Sequence, residues 1–392
     1  MLITIVFATL IITMAISLIT FLVNIIRFSA QLIRKGDKTP SIRSVQKNVI
    51  FMVVFSTLCF VFVGITQLTA STPPIQGHNA VSELKQISLN GRKEWISIRG
   101  QDKNNPVLLF LAGGPGGSQL ATVRHDLSEL EKHFVVVGWE QAGSGKSYHA
   151  MNIGDITIDT YIDDGYELTQ YLCKTFEQEK IYLVGESWGS ALGIFLIDKA
   201  PALYHAFVGT GQMVAFLDTE ITDYELAMKI AHEKGDVKTV EKLKSNGYPP
   251  YYGKDVTWKS AVYLNYLSSY MAGNPNIHNA GYNTFRDLFS SEYGILDKIN
   301  FFRGIVNTFN AFYPQLYDID LRTDYQSVEV PVYFFLGRHD VNAPTSFAEE
   351  YFDILNAPAK EIVWFENSGH SPWINESKKF VDELLNIKEH SQ

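Results

Sequence analysis

Three residues of this 392-residue chain have the types and settings for nucleophilic attack on a carbonyl group: Ser187, Asp340 and His370. Ser187 stands in Gly185-Glu186-Ser187-Trp188-Gly189, after the apolar run Ile181-Tyr182-Leu183-Val184 and before the helix-like pattern Ala191-Leu192-Gly193-Ile194-Phe195. A serine on so sharp a strand-to-helix turn takes a strained backbone, so the residues two before and two after it must be small, as Gly185 and Gly189 are. A serine hydroxyl alone is a poor nucleophile and needs a general base oriented by a third group. Six histidines follow the serine: His205, His232, His278, His339, His370 and His390. His370, in Asn367-Ser368-Gly369-His370-Ser371-Pro372, lies between a strand-like run and the last helical pattern, and is assigned as the base. His339 also follows a strand, but its neighbour Asp340, in Gly337-Arg338-His339-Asp340, is better placed as the orienting carboxylate. That loop leaves the C-terminal end of a strand, where catalytic groups collect in open α/β sheets. An oxyanion needs two backbone N–H groups near the nucleophile. Trp188 follows the serine directly, and Gly114, with Gly113 adjacent, lies in the glycine loop 112–117.

These groups need a scaffold, and the hydrophobic pattern supplies one. Residues 83–89 and 93–99 alternate apolar and polar around Asn90-Gly91, a strong hairpin signal. Apolar strands are predicted at 106–111, 133–138, 181–184, 205–209, 331–336 and 361–365, with helices at about 120–132, 158–176, 344–355 and 376–387. Strands alternating with helices imply a mostly parallel sheet with helices on both faces. Residues 213–326 break the rhythm with helical patterns at 218–234, 237–245 and 258–271 and aromatic loops, which predicts a helical cap inserted over the site.

Taken together, the motifs resemble the α/β-hydrolases of the prolyl iminopeptidase type. The family pattern His-Gly-Gly-Pro-Gly is present as Ala112-Gly113-Gly114-Pro115-Gly116, and Asp-Gln-Arg-Gly-Ser-Gly-x-Ser as Glu140-Gln141-Ala142-Gly143-Ser144-Gly145-Lys146-Ser147. Gly-x-Ser-Trp-Gly, Gly-Arg-x-Asp and Gly-His-Ser match at 185–189, 337–340 and 369–371. The resemblance covers residues 83–212 and 327–390. It implies an α/β-hydrolase core over 83–212 and 327–392, the cap at 213–326, and peptides with a free amino end as substrates. The carboxylate that would hold such an amino end is sought in the acid-rich opening of the cap, at Glu220 and Glu225, with Asp223 between them. The segment 143–147 also looks like a phosphate loop, but that motif needs a glycine where Glu140 stands.

The N-terminal region has a different character. Residues 1–26 and 49–70 carry no charged side chain, and each run is long enough to span a bilayer. Between them, residues 27–48 hold Arg27, Arg34, Lys35, Lys38, Arg43 and Lys47 against Asp37 alone. A cleaved signal would start basic with a shorter apolar core, and buried core helices would show a polar face. The pattern therefore predicts a membrane hairpin over 1–70, with helices at 2–26 and 49–70, a cytoplasmic loop at 27–48 and a linker at 71–82. The catalytic part is then expected outside the cytoplasm. The net charge is −9, and residues 1–70 contribute +5, which leaves −14 on the remainder. So acidic a surface argues against nucleic acid as a partner. Two cysteines, Cys59 and Cys173, and no histidine pair at ligand spacing argue for no metal and no cofactor. The expected function is a membrane-anchored serine aminopeptidase acting on short peptides. An esterase or lactonase on small acyl compounds, and a non-catalytic membrane receptor or assembly protein, are the alternatives.

Overall fold

The structure, a computed structural model, describes residues 2–34, 39–279 and 281–390. Its framework is an eight-stranded sheet in the order β1-β2-β4-β3-β5-β6-β7-β8. The strands are β1 Val81–Leu89, β2 Arg92–Gly100, β3 Val107–Leu111, β4 Val135–Glu140, β5 Ile181–Glu186, β6 Tyr204–Thr210, β7 Val332–Gly337 and β8 Lys360–Phe365. The first two form the expected hairpin, with Leu89 opposite Arg92, and β2 runs antiparallel to β4. From β4 through β8 every pairing is parallel. Side chains alternate across β3, β4 and β5. Leu109, Leu111, Val135, Val137 and Leu183 join one apolar core, and Leu108, Phe110, Val136, Tyr182 and Val184 join the other. The first core is closed by the helices Ile158–Thr175, Trp188–Lys199 and Thr345–Ile354. Leu120–Asp126 and Ser377–His390 close the second. Parallel strands joined by helices leave all their C-terminal ends on one edge, and the loops at that edge carry the site.

Between β6 and β7 the chain forms the helical insertion that the sequence predicts. Its main helices are Phe216–Glu233, Val237–Asn246 and Val256–Ala272, with an apolar cluster of their own that includes Tyr224, Leu243, Tyr263 and Leu267. A π-helical turn, Gly304–Thr308, follows the helix Ile295–Arg303. One expected helix is divided. Leu120–Asp126 gives way to a 3₁₀ turn, Ser128–Lys132, and the Phe134 N–H bonds back to the Leu130 carbonyl at 2.8 Å, so β4 begins only at Val135.

The described chain divides into two units, Met1–Ala70 with Tyr293–Lys298, and Ser71–Glu292 with Ile299–Gln392. In the first, the helices Leu2–Ile33 and Thr39–Leu68 include spans of 29 and 27 residues long and apolar enough to cross a membrane. Both reach further into 27–48 than expected. Arginine, lysine and glutamine are good helix formers, so charge at a membrane boundary does not end a helix. Lys35, Asp37 and Lys38, within the expected cytoplasmic loop 27–48, lie outside the described residues. Within the spans Thr9, Thr13 and Thr20 hydroxyls donate to carbonyls four residues earlier, which satisfies those donors inside the helix. At the end of the second helix, Thr66 Oγ1 and Gln67 Oε1 accept the N–H groups of Ile295 and Leu296, and Gln67 donates to Asp297 at 2.9 Å.

Phe207 on β6 is fully buried in the first core. Phe207→Ala is expected to destabilise the catalytic unit by about 3–5 kcal/mol, the usual cost of emptying a buried phenylalanine site. Urea unfolding of the full chain in detergent, followed by tryptophan fluorescence, measures it. A loss below about 1 kcal/mol contradicts the packing described here.

Candidate active site

Ser187 sits between β5 and the helix Trp188–Lys199 with φ 53° and ψ −122°, a conformation that costs a non-glycine residue about 1–3 kcal/mol. The strand, the helix and the neighbouring loop press together around it. A Cβ on Gly185 would stand 2.2 Å from the Gly189 carbonyl oxygen, and one on Gly189 would stand 2.3 Å from that of Leu111. Neither position admits a side chain. The Ser187 N–H donates to the Thr210 carbonyl at 3.0 Å, tying the turn to the end of β6. Ser187 lines a cavity of about 140 Å³ together with Gly114, Trp188, Asp223 and His370. The aromatic side of that cavity is formed by Phe216, Phe309 and Tyr313.

The loops after β7 and β8 bring the second and third residues together. A Cβ on Gly337 would lie 1.9 Å from the Gly369 carbonyl oxygen, so the two loops touch only because residue 337 is glycine. His370 Nδ1 and Asp340 Oδ2 are 2.9 Å apart. The other carboxylate oxygen, Oδ1, accepts the N–H groups of Asn342 at 2.9 Å and Ala343 at 3.0 Å, which fixes the plane of the carboxylate. Burial by itself would lower the basicity of His370. The charge and hydrogen bond of Asp340, with the charge of Glu186, outweigh it and push the imidazole up to about 9. Of the glycine-loop residues, Gly114 and not Gly113 is in the cavity wall, and the Gly113 N–H donates to Gln119 Oε1 at 3.3 Å. Gly114 and Trp188 are therefore the two of the expected oxyanion residues that line the cavity of Ser187. The Trp188 indole is anchored by donating to Gln141 Oε1 at 3.0 Å.

Glu186, next to the serine, is 2% exposed. Its Oε1 accepts from Ser371 Oγ at 2.6 Å and Trp373 Nε1 at 3.0 Å, and its Oε2 from Tyr282 Oη at 2.5 Å and from Gln119 Nε2. One carboxylate thus connects the turn carrying Ser187, the segment after the glycine loop, the loop of His370 and the inserted region. Nothing in the pattern Gly-x-Ser-x-Gly marks the position before the serine for this; an acid in so apolar a strand end was the available signal.

The acids at the cap opening are sorted differently from expectation. Glu220 is wholly buried and bonded to the hydroxyls of Ser260, Tyr263 and Tyr313. Burial first raises it, those hydroxyls pull it back, and it settles at about 7. Glu225 is exposed and accepts from Tyr248 at 2.6 Å. Neither is in the wall of the cavity that holds Ser187; Asp223 is, and its Oδ1 is buried without a hydrogen-bond partner. Asp223 is pushed far above the ordinary carboxylate range, first by burial and then by the negative charges of Glu220 and Asp340. The stretch 217–225 was legible as acidic, but its helical spacing alone did not say which acid turned inward.

Comparison with known proteins gives the family and the fold. The α/β-hydrolase fold family matches residues 106–243. The probable aminopeptidase YbaC of Bacillus subtilis (strain 168) is 33% identical over 313 residues, covering 79% of this chain and 98% of that protein. The chain belongs to the α/β-hydrolase family. A proline iminopeptidase of Saccharolobus solfataricus is 24% identical over 301 residues, covering 73% of this α/β-hydrolase and 84% of the relative. Among solved structures, a proline iminopeptidase-related protein from Thermus thermophilus superposes with a TM-score of 0.54 at 17% identity, covering 78% of this chain and 97% of that one.

The electrostatics of His370 can be tested without assuming a reaction. Followed by NMR in the full-length protein, its imidazole is expected to be protonated below, and neutral above, a midpoint near pH 9. Glu186→Gln removes a nearby negative charge that favours the imidazolium, so the midpoint moves down, by up to about one unit. An unchanged or raised midpoint contradicts the assignment.

Proposed function

We propose that this protein is a membrane-anchored serine aminopeptidase of the proline iminopeptidase type. Ser187 Oγ attacks the carbonyl carbon of the first peptide bond, and its proton passes to Nε2 of the neutral His370 imidazole, the form whose share grows as pH rises toward and past about 9, while Nδ1–H stays on Asp340. The N–H groups of Trp188 and Gly114 receive the negative oxygen of the tetrahedral intermediate. As the C–N bond breaks, His370 returns the proton to the leaving nitrogen, and the N-terminal residue remains as an ester on Ser187. Water, activated by the same imidazole, then releases it.

The observation that carries the peptidase reading is the unpartnered carboxylate oxygen of Asp223 in the same cavity as Ser187 and His370. A buried carboxylate without a partner is costly, and a substrate ammonium would supply the missing charge and donors. The curated relatives named as aminopeptidase and proline iminopeptidase support the same class. In this reading Asp223 is the counter-ion, with Glu220 one helical turn behind it. The two apolar helices anchor the chain, and the cations at 27–48 keep that loop cytoplasmic and residues 71–392 outside.

A fluorophosphonate probe is expected to label the wild-type protein and to leave Ser187→Ala unlabelled; equal labelling removes Ser187 as nucleophile. Asp223→Asn should lower kcat/KM for substrates with a free amino end by at least about thirtyfold, the cost of losing one member of a buried charge pair. N-acetylated substrates and simple esters should lose far less. If simple esters turn over faster than any aminoacyl amide in the wild type, the enzyme is an esterase and the peptidase reading falls. For topology, protease added to intact cells with no further outer barrier should degrade the 71–392 region, and protection of that region reverses the orientation.

A further inference from the structure

His370 borders a second hollow besides the one that holds Ser187. This hollow, of about 160 Å³, has Gly369, His370 and Ser371 on one side and Met271, Ile277 and Tyr282 from the insertion on the other. Among the described residues, only His370 and Asn342 line both hollows. Asn342 is held from two directions: its N–H donates to Asp340 and its Nδ2 donates to Ser268 Oγ at 3.0 Å. Its Oδ1 is shielded from water and has no partner. Turning the amide over would merely exchange which polar atom is left over, because the Ser268 hydroxyl can donate or accept. In either orientation one hydrogen-bonding atom is left without a partner where the two hollows meet.

We propose that this second hollow receives the leaving side of the substrate, the chain beyond the scissile bond, with Asn342 hydrogen-bonding its first peptide unit. The inference rests on the aminopeptidase reading above. Two constraints lead to it. The imidazole must hand its proton to the leaving nitrogen, so that nitrogen lies against His370 when the C–N bond breaks. The first hollow is already committed, since Ser187, Gly114, Trp188 and Asp223 line it, which suits the acyl half and its ammonium. The remaining space that His370 touches is the second hollow. Met271 and Ile277 give it an apolar wall for a side chain, and a peptide backbone brings both a donor and an acceptor to match Asn342.

The test varies the leaving group at constant acyl group, in the full-length protein in detergent. The best-cleaved aminoacyl residue is presented as the first residue of a tripeptide and as its methyl ester. Ile277→Trp, which fills the hollow, should lower the ratio of kcat/KM for the tripeptide to that for the methyl ester by at least about tenfold. Asn342→Ala should lower the same ratio by about three- to tenfold, the range of one lost hydrogen bond. Fluorophosphonate labelling at wild-type rate certifies that each variant is folded. An unchanged ratio in both folded variants overturns the proposal. If no aminoacyl substrate is turned over but acetyl esters are, the aminopeptidase reading fails. The hollow is then judged by benzyl acetate against methyl acetate, where a lowered ratio in Ile277→Trp supports a leaving-group site and an unchanged ratio refutes it.

Discussion

The architecture of the site depends on a buried negative charge. Transferring a carboxylate from water into a protein interior costs several kcal/mol unless donors replace its hydration. Glu186 is given those donors by Gln119, Tyr282, Ser371 and Trp373, four side chains from three separate stretches of chain. Each donor is therefore under a penalty to stay where it is, and with it the loop that bears it. Gln119 in turn accepts the Gly113 N–H, so the glycine loop is positioned through the same carboxylate. Ser371 is the residue after His370, so the imidazole is positioned through it as well. The charge also acts at a distance, adding to the proton affinity that Asp340 confers on His370. A single buried group thus sets both the geometry and the electrostatics around Ser187.

The second constraint is steric. Open α/β sheets bring loops together at one edge, but they approach closely only where side chains are missing. At the serine turn the strand, helix and glycine loop meet at Gly185 and Gly189, and between β7 and β8 the loops meet at Gly337. These are the positions that made the site readable. Local motifs such as Gly-x-Ser-x-Gly and Gly-Arg-x-Asp record backbone contacts, and backbone contacts constrain residue type strongly. Alternation in residues 83–99 and the continuous apolar runs later in the chain were equally direct records of one-sided and two-sided burial.

What the sequence did not disclose depends on side-chain contacts between distant segments. That Glu186 meets Tyr282, 96 residues away, leaves no local trace. That Asn342 borders two hollows follows from the insertion folding back over the loop after β7, and Asn342 by itself reads as an ordinary loop residue. The helix boundaries in 27–48 were missed for a different reason. A charge marks the limit of what hydrocarbon tolerates and not the end of a helix, because arginine and lysine continue a helix well.

The two acids of the helix Phe216–Glu233 show how one element can separate structure from chemistry. Glu220 and Asp223 are both buried, and burial raises the proton affinity of both. Glu220 is offset by three hydroxyls, so its oxygens are saturated and it braces the insertion from within. Asp223 has Oδ1 unpaired and feels the negative charge of both Glu220 and Asp340. A carboxyl in that position is at its least stable ionised and alone. Any cation that reaches it relieves the repulsion from two neighbours as well as its own desolvation. On the aminopeptidase reading proposed above, the arrangement would select by sign: an anion meets three acids, whereas an ammonium offsets the repulsion that Asp223 feels. Satisfying Glu220 while leaving Asp223 short of partners is what makes Asp223, and not Glu220, the counter-ion in that reading.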